Sequence, residues 1–99
     1  MTASQAKKEL MRRALEIDPT VHVGKDGDDE NLNNEVVQQL KKRRLIKIKV
    51  LNNAEAETKT VAEEIAAATG SVIVDVRGGV IILTDKRTWD SQCQKKSDN

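Results

Sequence analysis

KKRRLIKIKV, residues 41–50, changes its period half-way. Before Arg43 the apolar residues Leu32, Val36, Val37 and Leu40 recur at helical spacing, which predicts a helix over about Leu32–Arg43. After Arg44 the pattern alternates strictly, Leu45-Ile46-Lys47-Ile48-Lys49-Val50. That is a strand with Ile46, Ile48 and Val50 facing a core and Lys47 and Lys49 on the other side. The helix therefore runs straight into a half-buried strand, and one face of the resulting sheet tolerates charge.

Working outward, residues 3–16 place Ala6, Leu10, Ala14 and Ile17 at helical spacing, with Lys7, Lys8, Arg12 and Arg13 on polar faces. Asp18-Pro19 ends this helix, because proline pushes the preceding residue out of the α region. The β-prone run Thr20-Val21-His22-Val23 follows and closes on Gly24-Lys25-Asp26-Gly27. Beyond the central strand, Asn52-Asn53 reads as a turn. A third helix spans about Glu55–Thr69, with Thr58, Val61, Ala62, Ile65, Ala66 and Thr69 on one face and Gly70 at its C-terminal cap. Ser71–Arg77 and Val80–Thr84 read as strands joined at Gly78-Gly79, a pair suited to a two-residue hairpin with positive φ. From Asp85 on, DKRTWDSQCQKKSDN has no apolar periodicity and is expected to be a frayed tail.

The order α-β-α-β-α-β-β predicts an α/β fold: a two-layer sandwich with a four-stranded mixed sheet and helices packed mainly on one face. The last two strands pair antiparallel, and the helical crossovers permit parallel pairing elsewhere.

Composition narrows the function classes. The 17 Lys and Arg nearly balance 16 Asp and Glu, so the placement of charge matters more than its total. One cysteine, Cys93, cannot form an intrachain disulfide, and neither a signal-peptide run nor a membrane-span run is visible; a cytoplasmic location is expected. With no Phe or Tyr and only Trp89, domains that stack bases on sheet aromatics are excluded. The lone His22 has no cysteine or second histidine near it in sequence, and Cys93 has no local base, so neither a metal site nor an enzyme is expected, and no cofactor or small-molecule substrate.

Two features point to phosphate. Lys41, Lys42, Arg43 and Arg44 complement the dipole at a helix end, but Lys47 and Lys49 carry the positive field onto the strand, and Arg77 ends a later strand. Gly24 and Gly27 allow a loop with exposed backbone N–H groups ahead of a helix N-terminus, with Lys25 adding a cation. The same loop also reads as a plain turn, with Asp28 or Asp29 as N-cap and Glu30 in the first helical turn.

The sequence of pieces resembles the CRM (YhbY-like) family: VHVGKDG, then LIKIKV after a basic helix end, then ETKTVAEEIAAATGS and a strand-turn-strand ending IILTDKR. The similarity covers about Leu10–Arg87. It implies one RNA-binding domain over residues 1–87; the flexible tail over 88–99 is expected from the missing periodicity noted above. It also implies a fold like the C-terminal domain of a bacterial translation initiation factor, and association with ribosomal RNA or large-subunit precursors. It places the RNA surface at Gly24, Lys25, Asp26 and Gly27, with charge from Lys41, Lys42, Arg43, Arg44, Lys47 and Lys49. Two positions depart from the family pattern. Asp28-Asp29-Glu30 follows the second glycine where an apolar and a small polar residue are usual. Thr84-Asp85-Lys86-Arg87 lacks the tyrosine common at the end of the last strand. A protein-interaction adaptor and a duplex-DNA binder of similar fold are the competing expectations.

Overall fold

The computed structural model describes residues 2–24, 30–51 and 55–94. The elements are α1 (Ala3–Ala14), β1 (Val21–Val23), α2 (Glu30–Arg43), β2 (Leu45–Val50), α3 (Glu55–Thr69), β3 (Ser71–Arg77), β4 (Val80–Asp85) and α4 (Lys86–Gln94). The expected α/β class and four-stranded mixed sheet are present, in the order β1-β2-β4-β3. β1 runs parallel to β2, while β4 is antiparallel to both β2 and β3. The turn at Asn52-Asn53 and the cap at Asp28 or Asp29 lie outside the described residues.

Local chemistry sets the ends. α1 starts with a capping box: Thr2 Oγ1 accepts from Gln5 N–H at 3.2 Å, and Gln5 Oε1 accepts from Thr2 N–H at 3.0 Å. α3 stops at Gly70, whose φ of +67° is the left-handed cap conformation. In the β3–β4 hairpin only Gly78 has positive φ (+55°). Gly79 is needed for a different reason: a Cβ there would stand 2.9 Å from the carbonyl oxygen of Val50, whose own N–H donates to Gly79 O at 2.7 Å.

Helices occupy both faces of the sheet, where packing mainly on one face was expected. α2 and α3 bury Val36, Leu40, Val61, Ala62 and Ile65 against Ile46, Ile48, Val50, Ile81 and Leu83. On the opposite face Leu10 and Ala14 of α1 pack with Val74 and Ile82, joined by the half-buried Leu45 and Trp89. The reason lies in β4: its run Val80-Ile81-Ile82-Leu83 is apolar on both sides, as a central strand covered twice must be.

The expected tail over 88–99 is also corrected as far as Gln94. Asp85 Oδ2 accepts from the N–H of Thr88 at 3.3 Å, an N-cap that starts α4. The helix docks beside α1 through buried Thr88 and Gln92 and half-buried Trp89. Because two of its inward positions are polar, it shows no apolar period.

Candidate nucleic-acid interface

β1 ends at Gly24, and the neighbouring strands bring three chain segments to that edge. Leu51 N–H donates to Val23 O at 2.9 Å, and the Val50–Gly79 hydrogen bond adds the hairpin. Gly24, Leu51 and Gly78-Gly79 therefore share one end of the sheet. One row inward, the register aligns His22, Lys49, Val80 and Arg77 across all four strands. His22, Lys49 and Arg77 are exposed, on the face that α1 covers only in part. Lys47 is half-buried on the same face, where a shallow groove of about 190 Å³ runs between it, Arg77 and the end of α1 at Met11 and Leu15.

A bulge in β3 places Arg77 there. The register shifts between Ile73 and Asp75, so Val74 is an extra residue and both Val74 and Asp75 fall on the α1 face. In regular alternation after Ile73, Asp75 and Arg77 would point into the α2–α3 core. Arg77 Nε–H donates to Asp75 Oδ2 at 2.7 Å, and Lys7 Nζ lies 3.8 Å from Asp75 Oδ1. Burial pushes the Asp75 carboxyl up, but the Arg77 and Val76 hydrogen bonds and the Lys7 and Arg77 charges outweigh it, leaving its pKa below the usual aspartate value. Part of Arg77's charge is thus balanced internally, and Lys49 is the more open cation.

Lys41, Lys42, Arg43 and Arg44 stand at the other end of the sheet. β2 leads away from them from Leu45 to Val50, roughly 17 Å at about 3.3 Å per residue. The single basic strip expected along 41–49 is therefore divided. Lys41 borders Gly70, Ser71 and Asp85. Arg43 and Arg44 instead face a cleft that also holds Arg13 of α1 and Arg87 of α4. Lys25, Asp26 and Gly27 lie outside the described residues. Arg13 and Arg87 were invisible to sequence reasoning as partners of Arg44, because only docking of α1 and α4 assembles them.

Residues 2–83 match the family described as the CRS1 / YhbY (CRM) domain. The chain belongs to the CRM family. It is 32% identical over 94 residues to "Probable RNA-binding protein YqeI" of Bacillus subtilis, covering 95% of this chain and 98% of that one. It is 39% identical over 93 residues to "Probable RNA-binding protein MJ0652" of Methanocaldococcus jannaschii, covering 91% and 69% respectively. The solution structure of SAV1595 from Staphylococcus aureus superposes with a TM-score of 0.76 at 32% identity, covering 99% of this chain and 95% of that one. Among the described residues of this CRM domain, no group of three or more His, Cys, Asp or Glu could hold a metal ion, and no helix is long and apolar enough to cross a membrane.

Proposed function

We propose that this CRM domain binds RNA through its phosphate backbone at the Gly24 end of the sheet, and that the RNA is ribosomal or a precursor of the large subunit. The observation that carries the reading is Gly24 itself. It has no positive φ, and among the described residues a Cβ built on it meets nothing within 4 Å, so neither its φ nor packing against those residues calls for glycine there. Space kept open above a backbone beside an exposed lysine suits close approach of a phosphodiester. The names of the two relatives point the same way. Lys49, with Lys25, supplies cations, helped by Lys47 and Arg77; Trp89 packs against the α1 core, so base stacking on an aromatic plays no part.

The test is fluorescence anisotropy of a labelled ribosomal RNA fragment against salt. Gly24→Asp, which puts a carboxylate in the open space, should weaken binding at least tenfold while stability changes by no more than about 0.5 kcal/mol, as for surface substitutions. Lys49→Glu should reduce the salt slope by about one. Unchanged affinity in folded Gly24→Asp would overturn the backbone-loop reading, and equal competition by duplex DNA would overturn selectivity for RNA. Crosslinking in cells tests the ribosomal part: recovery of large-subunit RNA supports it, and its absence among crosslinked RNAs refutes it.

A further inference from the structure

The cleft at the opposite end of the sheet has about 680 Å³ of space, within the range of small-ligand sites. Its rim carries the guanidinium groups of Arg13, Arg43, Arg44 and Arg87 and one carboxylate, Asp18. Arg13 is partly balanced along α1, its Nε 3.6 Å from Glu9 Oε1, but the cations of Arg43, Arg44 and Arg87 repel one another and Arg13 unless an anion lies among them. The floor is apolar: Leu10, Ile17, Leu45 and Ile46.

Three polar side chains that line this cleft hold buried atoms with no hydrogen-bond partner among the described residues: Gln92 Oε1, Thr88 Oγ1 and Thr20 Oγ1. Gln92 is 4% exposed and Thr88 is 7% exposed, so both are burials that cost stability without an internal partner. At the edge, Arg44 holds φ of 65°, a backbone region an arginine seldom adopts. Strain of this kind is tolerated where surrounding structure enforces it, and it clusters at binding sites.

We propose that this cleft is a second binding site, one that takes a nucleoside phosphate: the phosphate among the four guanidinium groups, the base on the apolar floor. Gln92 Oε1 accepts from an amino or ring N–H on the base edge, and the two threonine hydroxyls complete the polar contacts. Arginine suits the phosphate because its planar fork matches phosphate oxygens two at a time. Asp18 accepts from a ribose hydroxyl. The same chemistry is offered by a free nucleotide and by one nucleotide of an RNA strand; the strand alternative rests on the RNA-binding reading above, the free-nucleotide alternative does not.

The experiment is a titration of the full, uniformly ¹⁵N-labelled chain with adenosine and uridine 5′-monophosphates, followed by NMR. Shifts are expected at Arg44, Leu45, Thr88 and the Gln92 side-chain amide, with Gly24 and His22 unmoved. Arg13→Gln combined with Arg87→Gln should weaken the mononucleotides at least tenfold. Gln92→Leu, which fills a buried position with an apolar group of similar size, should stay folded and bind the mononucleotides no better than inorganic phosphate. No shifts, shifts only near Gly24, or equal shifts with inorganic phosphate in the unaltered protein would each overturn the proposal. So would unchanged binding in folded Gln92→Leu. Lys25→Asp with Lys49→Glu should keep mononucleotide binding while losing RNA, so RNA affinity unchanged in that pair counts against the loop reading and not against the cleft. Weaker RNA binding in the Arg13/Arg87 variant assigns the nucleotide to a strand; an effect on mononucleotides alone assigns it to the free pool.

Discussion

Substituting Arg44 by glycine and by alanine measures how strongly the fold constrains one residue. Arg44 closes α2 in the left-handed conformation, φ 65°, where glycine is the usual occupant. Its N–H donates to Leu40 O at 2.8 Å, and its carbonyl accepts from Thr84 Oγ1 at 2.6 Å; both bonds use backbone atoms and survive either change. The left-handed region costs an L-residue about 1–2 kcal/mol. Glycine removes that cost but adds freedom to the unfolded chain, offsetting about 0.5–1 kcal/mol. The lost charge at the helix end is a smaller loss, since Lys41, Lys42 and Arg43 remain in the last turn. Arg44→Gly should therefore come out about 0.5 kcal/mol more stable than the unaltered protein, raising Tm by roughly 2–4 °C for a domain of this size. Arg44→Ala keeps the strained backbone and should lie about 1 kcal/mol below Arg44→Gly. Urea unfolding followed by circular dichroism, with equal m-values required, reads the difference. If alanine equals or exceeds glycine in stability, the left-handed cap is not a cost, and Arg44 stores no strain at the cleft edge.

Gly79→Ala should destabilise the protein by about 1–3 kcal/mol, as overpacking does. The new methyl would meet the Val50 carbonyl at 2.9 Å, and a backbone atom yields little. Thermal melts check this, and a loss under about 0.5 kcal/mol, the scale of a neutral surface change, would show that the hairpin can move aside. Asp75 predicts an acid limb: its folded pKa is lowered, so the unfolded chain takes up the proton first. Its contribution is therefore complete above the unfolded value, about 3.9, and is lost as pH falls through the folded one. Urea midpoints from pH 6 down to pH 2 should fall less steeply on the acid side for Asp75→Asn, and parallel curves would refute the assignment.

What the sequence made legible follows from where single elements carry their own signal. The alternation of LIKIKV, the stripe from Val61 to Ile65 and the Gly70 cap are local, and the structure has each of them. α4 was not legible because Thr88 and Gln92 fill its buried positions. The second helical layer was partly legible: Val80-Ile81-Ile82-Leu83 is apolar on both sides, but the charged face of LIKIKV argued for a single covered face. The β3 bulge could not be read at all, since SVIVDVR scans as an ordinary strand and only pairing with β4 reveals the extra residue. For the candidate site, Gly24, Lys49 and Arg77 as candidate RNA contacts were read from the sequence. Their separation from Lys41–Arg44 was not, because adjacency along the chain hides the length of a strand.

Arg44 is the entire connection between α2 and β2. With no linker to flex, the arginines beyond one end of the strand and Lys49 near the other keep a fixed spacing, and where one strand of RNA occupies both proposed sites the protein acts as a ruler. A polymer long enough to touch both ends gains the second contact without further loss of orientational freedom, so its affinity exceeds either contact alone. A shorter one gains nothing from the far end. Affinity for RNA fragments of increasing length should accordingly rise in a step, at the length that first bridges the strand.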